Sequence, residues 1–300
     1  MENINTYVET FLDDYSVLHA VVLDMLISQR SMEKSKLLRY IKLALLNLLI
    51  DSSSQEKPVD ADVLRYCQHM LERSYSVIGT ENESQVDPLE IFTDIEFNDV
   101  ISMINKKISF LDFEIVNVSD MDMPDVKIYI FVNKKDNGSI KFTTNMTENR
   151  IVAVKAIIDR IFNDKFVNAA AMTYLVKPMR LIEILREEHG MSSTEAEEFL
   201  QSLEVSIWLE RYHDTYTLSL RGLSELRQFL IEKYGLVKDG GTISTCFGCQ
   251  NLITRGVCCS DSHCFIRMHK NCKNLVKMSR ESEQCPNDLC SKTFADYQTF

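Results

Sequence analysis

Apolar residues recur at three- and four-residue intervals through "SVLHAVVLDMLIS" (16–28) and "KSKLLRYIKLALLNLLI" (34–50), a period that predicts two helices near the start of the chain. A third helix is expected from about Val59 to Ser76 and a fourth from about Leu89 to Ser109, with the polar stretches "DSSSQEKP" (51–58) and "GTENESQVDP" (79–88) as loops. The pattern then changes. "FEIVNV" and "KIYIFV" read as strands, and the "DNG" at 136–138 is a tight-turn signal before "SIKFTT".

A second helical block opens at Thr147, a capping residue with Glu148 well placed in the first turn, followed by the amphipathic "IVAVKAIIDRIF". Pro178 suits the first turn of "PMRLIEILREEHG", which Gly190 ends. Ser192 and Glu195 form a capping box for the next helix, where Ala196, Phe199, Leu200 and Leu203 fall on one face. "SIWLERYHDTYTLSL" reads as a hairpin with Tyr216, Leu218 and Leu220 alternating on one face, and "LSELRQFLIEKY" as a closing helix ended by Gly235. Helix, turn, helix and ribbon is the order of a winged helix. Next, "VKDGGTIST" (237–245) has adjacent glycines and no apolar period, which predicts a flexible linker.

The size of the chain, 300 residues, calls for two or three domains. Its longest apolar stretch, "LALLNLLI", is far short of the ~20 residues of a spanning helix, so no membrane role is expected. "MENINTYVET" lacks the character of a signal peptide, which predicts a cytosolic or nuclear setting where cysteines remain reduced. Charge is uneven. Residues 1–245 carry 26 Lys and Arg against 39 Asp and Glu, a net of −13, while residues 246–300 carry 7 against 5. An acidic body repels phosphate, and the helix after the predicted turn, "SSTEAEEFLQSL", has three Glu and no cation for a DNA groove. Weak direct DNA binding at most, and protein partners, are the expectation.

Eight of nine cysteines lie after residue 245; Cys67, among apolar neighbours, reads as a buried structural thiol. The spacing runs Cys246-x2-Cys249, nine residues to Cys259, four to Cys264, four to His269, two to Cys272, twelve to Cys285 and four to Cys290. Zinc prefers four thiolate or imidazole ligands in a tetrahedron, so eight ligands make two sites. About fifty residues bury too little apolar surface to fold alone, whereas a structural zinc contributes ~10 to 16 kcal/mol on folding. Four protein ligands per site leave no open position for an activated water. Cys258 and Cys259 are adjacent and only one is needed; Cys259 gives the shorter return to Cys264. His263 is an alternative ligand that reads here as a loop residue. His269 is placed as a ligand by its Cys-x4-His-x2-Cys setting.

Four Cys, one His and three Cys resemble both a variant RING finger and a PHD finger, but Glu283 stands where a PHD finger carries its Trp. "CFIRMHKNC", "CFGCQNLITRGVCC" and Pro286 directly after Cys285 resemble the variant RING of the non-SMC element one family, a subunit of the cohesin-related Smc five/six DNA repair complex. The resemblance extends over the chain. It implies a mostly α fold with small β ribbons: a first winged-helix domain (1–145), a second (146–236), the linker 237–245 and a two-zinc cross-brace module (246–300). Carried over by position, Cys246, Cys249, His269 and Cys272 would hold one ion, and Cys259, Cys264, Cys285 and Cys290 the other.

The resemblance further implies a nuclear, chromosome-associated RING-type ubiquitin ligase subunit acting in DNA repair and recombination, with a MAGE-domain partner and a kleisin subunit. A RING does no covalent chemistry; it positions a ubiquitin-charged conjugating enzyme. Phe247, Leu252, Ile253 and Pro286 are the candidate contacts, or else core residues of the module. Gly248 stands where RING ligases usually carry an aliphatic residue, the last knuckle has four residues instead of two, and Ser291 follows the last ligand, so weak or partner-dependent activity is expected. The alternatives are a non-catalytic scaffold with structural zinc, and a PHD-like chromatin reader.

Overall fold

The computed structural model describes residues 2–52, 60–76, 92–123, 125–134, 146–163 and 174–300. Their contacts form two units: residues up to Asn117 with Ile128–Phe131, and Val118–Lys127 with Val132–Phe300. The loop 79–88, the "DNG" turn and the strand expected at 139–144 lie outside the described residues, as does most of the loop at 51–58.

In the first unit the helices are α1 (Glu2–Leu12), α2 (Val17–Gln29), α3 (Lys34–Ser52), α4 (Ala61–Ser76) and α5 (Asp94–Ile108). Residues four apart share a helix face, so Leu18, Val22 and Leu26 of α2 meet Leu37, Ile41 and Leu45 of α3 in one buried cluster with Phe97 and Ile104 of α5. Cys67 is fully buried in that cluster, as its neighbours predict. A small sheet closes it, with β1 (Ser31–Glu33), β3 (Lys127–Asn133) and β2 (Phe113–Ser119) in that order. Asn105 of α5 fastens β2 with two bonds, accepting from the Ile115 amide (2.7 Å) and donating to its carbonyl (2.9 Å). The apolar period did not indicate α1 or the three-residue β1.

The second unit carries α6 (Glu148–Phe162), α7 (Pro178–Glu187) and α8 (Ser193–Val205), then the antiparallel pair β4 (Leu209–Tyr212) and β5 (Thr215–Leu218). The Ser192–Glu195 capping box forms, with bonds of 2.8 and 3.2 Å. Two expectations are corrected. Leu220 is no longer in the strand, and the helix expected at 223–234 is two: α9 (Leu220–Glu225) and α10 (Arg227–Tyr234). The early start follows from Ser219, whose hydroxyl accepts from the Gly222 amide at 3.0 Å. Gly222 sits so close to β5 that a Cβ there would lie 2.7 Å from Leu218 Cγ.

The stretch 237–245 is not a flexible tether. Val237–Asp239 form a 3-10 turn, the Val237 amide donates to Ile243 O, and the Ile243 amide donates to Gly235 O, each at 2.9 Å. Ile243 is buried in the core formed by α6 to α8. Gly241 is required by space: a Cβ there would overlap the Gly235 carbonyl. Adjacent glycines signalled mobility in the sequence; in the structure Gly240 takes a left-handed φ of +86° and Gly241 permits close backbone approach.

The Cys-rich end adds the sheet β7 (Arg267–Met268), β6 (Val257–Cys259), β8 (Tyr297–Thr299), and one helix, α11 (Lys270–Arg280). Among the described residues, no helix is long and apolar enough to cross a membrane.

Candidate metal centre

Each ligand pair is shaped by its own local structure. The first is a tight turn: the Cys246 amide donates to Asn251 O and the Gln250 amide to Cys246 O, both at 2.8 Å, with Gln250 at φ +62°. His269 is the N-cap of α11 and Cys272 lies in its first turn, so the two-residue spacing puts both on one side of the helix start. Cys259 ends β6, and Cys264 closes a turn by donating its amide to Asp261 O at 3.0 Å. The longer Cys285–Cys290 knuckle is closed by a Gln284–Thr293 bridge and by the Cys285 amide donating to Lys292 O at 2.9 Å.

These elements bring the eight residues into two groups, Cys246, Cys249, His269 and Cys272, and Cys259, Cys264, Cys285 and Cys290. Within each group the donor atoms all lie within 4.8 Å of one another. Because the groups take alternate pairs along the chain, each one ties together two separated turns. Cys258, half-buried on β6, belongs to neither group, and His263 is exposed.

The donor sets fit a tetrahedral metal. A zinc–thiolate bond near 2.3 Å makes the edge of a sulfur tetrahedron about 3.8 Å. Cys259 and Cys290, and Cys264 and Cys285, have sulfurs 3.6 Å apart, while His269 Nδ1 is 3.4 Å from Cys249 Sγ and 3.7 Å from Cys272 Sγ. Disulfides are excluded at such separations, which exceed an S–S bond by about 1.5 Å. Charge argues the same way. Hydrogen bonds from Cys249 and Cys272 pull the Cys246 thiol well down, while hydrogen bonding to Cys246 and Cys249 and then burial push Cys272 far up. Burial lowers the His269 imidazole, but the Cys246 and Cys249 sulfurs overcome it and raise it to about 9. One negative sulfur thus resists a second unless a cation compensates it.

Comparison with known proteins adds the lineage. Residues 67–226, more than half of the chain, match the family described as "Nse1 non-SMC component of SMC5-6 complex". The chain belongs to the Nse1 family. Residues 246–288 match a "RING-like domain". The "Non-structural maintenance of chromosomes element 1 homolog" of Rattus norvegicus is 27% identical over 209 residues, covering 69% of this chain and 70% of the relative. The human homolog is 26% identical over the same length and the same shares of the two chains. A solved structure of an "Nse1-Nse3-Nse4 complex" contains a chain with TM-score 0.58 at 18% identity, covering 92% of this chain and 96% of that one, a likeness of fold.

In this Nse1-family chain the apolar residues beside the ligands are mostly occupied. Leu252 packs into the core built by α6 to α8, Ile253 into the core between the two clusters, and Pro286 is buried as well. Of the two readings open for the four candidates, core packing describes Leu252, Ile253 and Pro286 here, while Phe247 is partly exposed. The glycine at 248 also has a steric reason: a Cβ there would lie 2.9 Å from Cys272 Cβ and 3.3 Å from Val276 Cγ2. Spacing rules gave no sign of Tyr297, Asn287 or Arg255. Tyr297 and Asn287 touch ligand sulfurs from outside the clusters, and Arg255 binds Glu210 and Asp122.

Proposed function

We propose that this chain is the RING-type ubiquitin ligase subunit of a Smc5/6-type chromosome complex, nuclear and engaged in DNA repair and recombination. The interleaving of the two donor sets carries the reading, because it joins two turns into the platform on which a RING presents a charged conjugating enzyme. Two zinc ions, one in each set, would supply structural cross-links with four protein ligands and no open position. What the chain itself contributes is orientation: it holds the enzyme–ubiquitin conjugate so that a lysine amine attacks the thioester in a favourable geometry.

Two tandem winged-helix units are proposed to carry the platform and to bind a MAGE-domain partner and a kleisin. The similar solved structure, an assembly of Nse1 with Nse3 and Nse4, supports partners of this kind. Direct DNA binding by this chain would be weak, since α8 offers Glu195, Glu197 and Glu198 and no cation.

A second reading is favoured by a specific observation. With Leu252, Ile253 and Pro286 buried and glycine at 248, the usual apolar docking positions are filled or absent, as expected of a scaffold whose metal is structural. Reconstituted ubiquitination with and without a MAGE-domain partner separates the two. Ligation that rises with the partner supports the ligase. No ligation with any of a panel of conjugating enzymes, from a complex shown to hold two zinc ions, establishes the scaffold.

A further inference from the structure

The strand β8 lies beyond the last ligand, Cys290, and outside the RING-like match at 246–288. It pairs antiparallel with β6 and sets Tyr297 opposite Cys259. From there the Tyr297 hydroxyl reaches across the second donor set to Cys285 Sγ, 3.2 Å away. The ring is held on two sides, by Phe294 (centroids 5.3 Å apart) and by the Lys273 ammonium, 5.5 Å from the ring centre. On the same donor set, Asn287 Nδ2 donates to Cys264 Sγ at 3.5 Å.

Four thiolates around one divalent cation leave a net charge of about −2, in a site where most of the sulfurs are out of water. Hydrogen bonds to such sulfurs stabilise that charge and fix the direction of each ligand, and loss of a partner of this kind typically costs 10- to 100-fold in metal affinity. We propose that the Tyr297 hydroxyl, assisted by Asn287, acts as a positioning donor that sets metal retention in the Cys259–Cys264–Cys285–Cys290 site. The strand after the ligands is thereby part of the metal centre, and the two sites respond differently to its loss. This rests on the reading that both sets hold zinc.

The test uses the full chain loaded with zinc, and in parallel with Co²⁺, whose absorption distinguishes a four-sulfur site from a three-sulfur, one-nitrogen site. Tyr297→Phe keeps the ring, and with it the contacts to Phe294 and Lys273, and removes only the hydroxyl. Against a competing chelator the variant should lose one ion of two about 10- to 100-fold more readily, with the cobalt band of the four-sulfur site affected and the other unchanged. Asn287→Ala should act on the same site and in the same direction. Unchanged retention of both ions in Tyr297→Phe, or loss of both together, overturns the inference. A wild-type chain that binds no metal removes the zinc reading beneath it instead.

Discussion

Arg255, in the turn before β6, is ion-paired with Glu210 of β4. The same guanidinium binds Asp122 at 2.9 Å and lies 4.2 Å from the centre of the Tyr212 ring. Its side chain is 10% exposed, against 28% for Glu210 and 38% for Asp122, so the cation is the most enclosed member of the group. Burial pushes the Glu210 carboxyl up and Arg255 opposes it, while the two carboxylates, against burial, hold the guanidinium in its charged form. The Cys-rich module is thus fastened to the hairpin through a desolvated charge cluster as well as through the chain.

Truncation of the cation leaves the half-buried Glu210 without its partner, which is the costly half of such a pair. Arg255→Ala should destabilise the chain by about 3 kcal/mol, the lower end for a broken buried pair because Asp122 is partly solvated. Arg255→Lys should recover only part of this, since an ammonium cannot bind two carboxylates in a fork and stack on Tyr212 together. Urea unfolding of the three proteins measures the differences.

Gly248 yields a prediction of opposite sign to the usual engineering intuition. An aliphatic residue at this position supplies a docking contact in RING ligases, so Gly248→Ile would be expected to raise activity. Here the first added carbon meets Cys272 and Val276, and no side-chain rotation relieves contact at Cβ. The substitution should displace Cys272, speed metal loss from the site of Cys246, Cys249, His269 and Cys272, and raise no activity. Chelator competition measures the retention.

How much of this was legible in the sequence depends on range. The eight clustered donors were readable because metal sites are built from short local spacings, and the Ser192–Glu195 box because it spans only four residues. Arg255 was silent, since its partners lie 45 and 133 residues away in the chain. Tyr297 carried no signal for the same reason, its contact being made through strand pairing. Leu252 was ambiguous: an apolar residue between ligand pairs reads equally as surface or core until the neighbouring core is in view. Gly240 and Gly241 misled, because composition cannot tell a glycine that grants freedom from one that takes a left-handed turn, as Gly240 does, or permits close approach, as Gly241 does.

His19 makes the first unit sensitive to acid. Its Nδ1 accepts from the Ser16 amide at 3.0 Å in the capping box of α2, and its ring stacks on Tyr15. Protonation would turn that acceptor into a donor facing a donor, and burial, only partly opposed by Asp14, lowers the imidazole below its ordinary 6.5. The unfolded chain therefore binds a proton near pH 6.5 that the folded chain refuses, so stability rises with pH through this window and is lost as pH falls below it. His19→Gln, which preserves an N3 acceptor, should flatten the slope of unfolding free energy as pH falls below 6.5. An unchanged slope would show that His19 is not the group responsible.

Metal removal should be felt well outside the metal sites. Trp208, the single tryptophan, is buried beneath the Arg221 guanidinium in the same core that receives Leu252. Leu252 in turn is bridged to Thr245 and stands a few residues beyond Cys246 and Cys249, so an ion held by the first donor set would fix its entry into that core. Were 237–245 a free tether, stripping the metal would leave the Trp208 environment intact. With a closed turn, a shared core and the Arg255 cluster, loss of metal should loosen 246–252 and withdraw Leu252, a change on the scale of a buried leucine truncation, ~2–5 kcal/mol. Thermal unfolding followed by Trp208 fluorescence should then show a midpoint lower by about 5–10 °C after strong chelation, restored by added zinc. A midpoint indifferent to chelation would mean that the module folds on its own and that the shared core contributes little to joining it.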